Sequence, residues 1–180
     1  MKAIKTPEEL LEFMNSINYG YLGKDNKIYY DDSNFFENYK LETTEDILTN
    51  LVGNCWDQVE FERDWFLNNN YEIKTIFEMV VLDYNNDYPT HSFLVYKDNN
   101  KWCWFEHADS NNKGIHKFNT LEELLNYQYH KYVEFLQEYN IKEEEINKII
   151  ITEFTSPNEH ITASEYLENA INSPTISIKN

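Results

Sequence analysis

Two apolar runs, THSFLVY at 90–96 and KWCWFEHA at 101–108, are separated only by the tetrapeptide KDNN. Both runs are rich in β-branched and aromatic residues, and Asp and Asn favour tight turns, so the stretch predicts a β-hairpin. That pairing constrains the chain more than any other feature. With an even-length turn, DN or KDNN, His91 pairs with Glu106, Phe93 with Trp104 and Val95 with Trp102. Directly opposed residues share a sheet face, so His91 and Glu106 lie side by side, while Cys103 and His107 point the other way. Both of the latter read as structural residues. An odd-length turn reverses the parity and favours Asp109 over Glu106.

The rest of the chain arranges helices and strands around this hairpin. Thr6 caps a first helix, with Pro7 at its first position, Glu9 as capping-box partner and an apolar stripe of Leu10, Phe13, Met14 and Ile17. YGYLGKDNKIYY reads as turns and short extended pieces. TTEDILTNLVG is a short helix capped by Thr43 or Thr44 and ended by Gly53. Another helix starts near Asn54 and stops at the Asn68–Asn70 triplet, burying Trp56, Val59, Trp65 and Phe66. YEIKTIFEMVVLDY and INKIIITEF read as strands, and further Asn pairs such as Asn85–Asn86 mark turns. A long helix opens at Asn119 or Thr120, and a last one opens at Thr162. Such segregated runs predict a single α+β domain over 1–180, with an antiparallel sheet. One domain with a real core also suits 180 residues.

Charge narrows the range of partners. Fifteen Lys and Arg against 32 Asp and Glu leave a net charge of −17. Such a surface repels phosphate backbones and anionic lipid, which argues against nucleic acid and membrane partners and tolerates neutral or basic ones. No apolar stretch is long enough for a bilayer, and the first residues lack the apolar run of a signal peptide. Two cysteines make no disulfide framework, so a reducing cytoplasm is the expected location. No metal-ligand spacing, P-loop or dinucleotide fingerprint occurs, and no cofactor is expected.

Against that background GNCWDQVEFERDWF, at 53–66, stands out. Asn54 as cap places Cys55 at the first position of a helix, where unpaired N–H groups favour negative charge on a thiolate and on a developing oxyanion. His91, at the head of a strand, is the candidate base, with Glu106 or Asp109 to orient it. Tyr19 and Tyr21 are candidate second oxyanion donors. Gln58, one turn after Cys55, reads as a surface residue. A buried free cysteine is by itself usually a packing residue, so the reading rests on the conjunction.

GNCW, followed by HSFLVYKDNNKWCWFEHAD, resembles the transglutaminase-like superfamily of papain-fold cysteine enzymes. The likeness covers about 43–108 and extends to small uncharacterised bacterial members with a similar CWDQVE helix and WFEH strand end. The resemblance implies a papain-like core of about 43–155: a Cys-bearing helix packed on an antiparallel sheet, with flanking N- and C-terminal helices. It implies a catalytic triad of Cys55, His91 and Glu106, where the family usually has Asp followed by proline. It implies thiol-dependent acyl transfer, first as hydrolysis of an amide or peptide bond. Protein-glutamine amine transfer, or an inactive binding module of the same fold, are the alternatives.

Overall fold

The computed structural model describes residues 4–32, 34–82, 89–138, 140–157 and 160–178. The expected strand end at Asp83 and Tyr84, the Asn85–Asn86 turn and the expected helix end at Tyr139 lie outside them. The described residues form six α-helices and a five-stranded antiparallel sheet, an α+β arrangement. In chain order the elements are α1 (Pro7–Met14), β1 (Tyr21–Leu22), β2 (Ile28–Tyr29), α2 (Phe35–Asn38), α3 (Thr44–Asn50) and α4 (Cys55–Asn68). There follow β3 (Ile73–Leu82), β4 (Thr90–Asp98), β5 (Lys101–Glu106), β6 (Gly114–Phe118), α5 (Leu121–Glu138), β7 (Ile146–Phe154) and α6 (Ala163–Ile171). The sheet order is β6-β5-β4-β3-β7, and β1 pairs only with β2.

Helices cover both faces of the sheet. Val59, Trp65 and Phe66 of α4 join Phe77, Leu94, Tyr96, Cys103 and Phe105 in one core cluster. Leu124 and Leu125 of α5 join Ile76, Phe93, Val95, Trp104 and Ile151 in another. Double coverage explains why β3 reads as a nearly continuous apolar run instead of an alternating one. Each large side chain buried here contributes about 1.5–3 kcal/mol.

Capping follows local chemistry. Thr6 accepts from the N–H of Glu9 at 3.2 Å, and Thr43 and Thr162 each close a capping box. Thr120, not Asn119, accepts from the Glu123 N–H at the start of α5. One expected boundary is corrected. α3 ends at Asn50, not at Gly53, because Leu51 adopts φ 51° and terminates it.

The hairpin register is also corrected. The turn is Asn99–Asn100, so Asp98 pairs with Lys101, Val95 with Trp104 and Leu94 with Phe105. Both asparagines have positive φ, 48° and 65°. A two-residue turn that matches strand twist needs two left-handed residues, and Asn tolerates that conformation better than Asp98 or Lys101. The shift is two residues, so the parity is kept. Glu106 shares the face of His91, but as a diagonal neighbour and not a direct partner. Strand β6 was absent from the expectation. It is a half-buried edge strand whose sequence, GIHKF, has no apolar run to announce it.

Among the described residues no helix is long and apolar enough to cross a membrane.

Candidate active site

Everything around Cys55 begins with how α4 starts. Asn54 is in extended conformation, and its side chain accepts from the N–H of Trp56 at 2.9 Å and of Asp57 at 3.2 Å. Asp57 reciprocates by accepting from the Asn54 N–H at 3.0 Å, which completes a capping box. Its other oxygen accepts from the Tyr39 hydroxyl at 2.8 Å and the Glu42 N–H at 3.0 Å. One buried carboxylate thus ties the 39–42 segment to the turn that carries Cys55.

A second tie comes from Gln58, which is a correction. It is buried, not on the surface. Its amide donates to the Gly53 carbonyl at 2.8 Å, and its oxygen accepts from His107 Nδ1 at 2.7 Å. Lys113 donates to His107 Nε2 at 3.0 Å. Both imidazole nitrogens are therefore occupied in the neutral form, and burial with Lys113 close by pushes His107 down to about 4. His107 fastens the end of β5 to the start of α4.

His91 is brought to Cys55 from β4. Its Nε2 lies 2.8 Å from Glu106 Oε2, and the Cys55 thiol is close enough to the ring to raise its pKa. With Nε2 taken by Glu106, Nδ1 is the nitrogen left for sulfur. Phe93 stacks on the ring, with centroids 5.9 Å apart. The second oxygen of Glu106 accepts from the Asp109 N–H at 2.8 Å. The Asp109 side chain instead accepts from Asn111 and Asn112 and shapes the following turn. Of the two candidate acids, Glu106 is the one whose carboxylate meets His91.

Burial alone would pull His91 down, but the charge of Glu106 and the bonds to thiol and carboxylate hold it well above the ordinary imidazole range. Imidazolium next to sulfur is thereby favoured.

Of the two tyrosines, Tyr19 is the one at the thiol. Its hydroxyl donates toward Cys55 Sγ at 3.9 Å, and the neighbouring Cys55 together with burial raises the phenol well above its usual range. Tyr21 is buried and stacks on Tyr29 at 5.0 Å. Gly20 allows this placement: a Cβ there would lie 2.5 Å from the Tyr29 carbonyl oxygen. A groove of about 670 Å³ opens beside Cys55, with Tyr19, Trp56 and Thr90 in its wall.

No protein-family model matches this chain, and neither does any curated protein. Its chemistry is therefore argued from the site alone. Among the described residues no group of three or more His, Cys, Asp or Glu side chains is placed to hold a metal ion.

Three buried acids near the site escaped the sequence reading. Glu62, two turns beyond Cys55, is pushed well up by burial and by the charge of Glu106. Burial pushes Glu42 up to about 8 and Asp57 to about 7. Asp57 accepts three hydrogen bonds while one oxygen of Glu42 has no partner, so Asp57 is the better-stabilised carboxylate of the two.

Glu78 is the most telling of the acids beneath the site. It is 0 % exposed, pairs directly across β3–β4 with His91, and accepts from Gln128 Nε2 at 2.7 Å. The remaining oxygens of both Glu78 and Gln128 have no hydrogen-bond donor. A proton on Glu78 relieves the cost of that buried, half-satisfied carboxylate. Burial agrees, pushing Glu78 up to about 8. A lone acid inside the apolar run IFEMVVL was the legible signal.

That proton has a consequence for stability. The folded value, about 8, lies above the unfolded Glu value of about 4.3. The stabilisation is full below the unfolded value and is lost as pH rises through the folded one. Glu78→Gln mimics the protonated form. In urea titrations between pH 5 and 8, wild type is expected to lose up to about 1.4 kcal/mol per pH unit relative to the variant. Parallel pH profiles for the two proteins count against a protonated Glu78.

Proposed function

We propose that this protein is a thiol-dependent acyl-transfer enzyme of transglutaminase-like, papain-like type. The observation that carries the reading is the His91 ring, bonded to Glu106 at 2.8 Å and close enough to the Cys55 thiol for the two to act on each other's charge. Thiol, imidazole and carboxylate in that order are what nucleophilic catalysis at a carbonyl requires.

In the proposed cycle the Cys55 thiolate attacks the carbonyl carbon of an amide or peptide bond. The tetrahedral oxyanion is met by the Cys55 N–H at the start of α4 and by the Tyr19 hydroxyl. Imidazolium His91 gives its proton to the departing amine, the C–N bond breaks, and a thioester remains. Neutral His91 then takes a proton from water as its oxygen attacks the thioester. The acid leaves and the thiol is restored. Glu106 holds the ring in place and stabilises its charged form. Tyr19 is 55 % exposed, so water reaches the mouth of the site, which favours hydrolysis over transfer to an amine.

Competitive alkylation with iodoacetamide at neutral pH tests this reading. Cys55 is expected to label at least about tenfold faster than Cys103, a buried thiol that burial pushes up. Equal labelling of the two in the native protein overturns the proposal.

A further inference from the structure

The groove beside Cys55 has an uneven chemistry. Asp31, Asp32 and Glu37 line it on one side together with Tyr30 and Phe36. Among the described residues that line it there is no Lys or Arg. The Lys24 amine donates to the Glu37 backbone carbonyl at 3.0 Å and so lies toward that end. Tyr30 is 68 % and Phe36 58 % exposed, unusually open for large aromatic side chains. Aromatic faces beside carboxylates attract cations through both the ring quadrupole and the net charge.

The negative field reaches the reacting atoms. Asp32 contributes to holding the Tyr19 phenol protonated, and Asp31 and Asp32 both act on Tyr21. Tyr19 is the residue whose hydroxyl approaches Cys55 Sγ. The acidic wall and the thiol therefore share one cleft, and a cleft lined by one sign of charge concentrates the opposite sign.

We infer that the groove selects acyl substrates with a positive charge beside the scissile carbonyl, such as a lysyl or arginyl residue flanking the amide, and that Asp31, Asp32 and the exposed rings of Tyr30 and Phe36 make the selection. This inference rests on the acyl-transfer reading of Cys55, because it takes the groove as that thiol's substrate channel. An anionic flanking group is disfavoured by the same field.

Three methanethiosulfonate reagents of similar size test it without needing a substrate: the cationic aminoethyl, the neutral methyl and the anionic sulfonatoethyl reagent. Each forms a mixed disulfide with the thiolate and releases a sulfinate. Rates at Cys55 are read by mass mapping and divided by those of a small free thiol. The cationic reagent is expected to outpace the anionic one by at least about tenfold at low ionic strength, and to lose most of that lead in 1 M salt. The Asp31→Asn/Asp32→Asn variant separates the wall from the overall charge of −17. It should lose most of the cationic-to-anionic rate ratio, while the neutral reagent still reacts faster at Cys55 than at Cys103, which reports an intact site. A preference that is absent in wild type, or unchanged in the variant, overturns the inference while the neutral reagent's fast reaction leaves the acyl-transfer reading standing. If the neutral reagent reacts no faster at Cys55 than at Cys103, both fall.

Discussion

His91→Ala is expected to lower both turnover and Cys55 alkylation by about 10²–10⁴-fold, the range for losing a positioned general acid–base. The size follows from what the ring does at once. In the proposed cycle it sits beside the thiol, carries a charge favoured by Glu106, and gives that charge's proton to the leaving group. A purely structural histidine would change stability and leave the pH profile in place. Two readouts exclude that account. Added imidazole should restore part of the rate at the vacated site. In wild type, activity should fall as pH rises through the folded His91 value, which lies above the ordinary value of about 6.5. Glu106→Gln keeps an acceptor for Nε2 but removes its charge, so this alkaline limb should move to lower pH. A limb that stays in place in Glu106→Gln removes Glu106 from the role assigned to it.

The second large effect concerns the frame and not the chemistry. Asp57→Ala should cost about 3–5 kcal/mol in urea unfolding. The substitution leaves the Asn54 N–H, the Glu42 N–H and the Tyr39 hydroxyl without their acceptor, all within buried residues. Each buried orphan costs about 1–3 kcal/mol, and the three share one carboxylate, so the sum is not additive. Asp57→Asn keeps one carbonyl oxygen, enough for two of the donors, and should lose less. Because Asn54 and Glu42 lie beside the helix start, the Ala variant should also slow Cys55 alkylation. A loss under 1 kcal/mol for Asp57→Ala indicates that the turn is held by Gln58 and His107 instead.

Much of the site was legible because its determinants are local. A cap residue before Cys55 and turn residues between two apolar runs act over a few positions, and their chemistry is visible in one dimension. Face parity survived the register correction because side chains alternate with a period of two, and the shift was two residues. The choice between DN and NN as the turn was not legible from composition. It depended on which two residues accept left-handed backbone, and Asn99 and Asn100 do. Gln58 was misplaced because its partner, His107, comes from a strand far along the chain. β6 was missed because an edge strand needs little apolar surface.

The sequence by itself determined that Cys55 starts a helix and that the middle of the chain is an antiparallel sheet, and it put His91 and Glu106 on one face for any even-length turn. Capping, turn preference and strand alternation are short-range, so they are encoded where they act. Only the tertiary structure decided that Glu106 and not Asp109 meets His91, that burial pushes Glu78 and Glu42 up, and that acidic and aromatic side chains share a groove with the thiol. Those properties depend on desolvation and on distances between segments remote in sequence, and neither exists until the chain has packed.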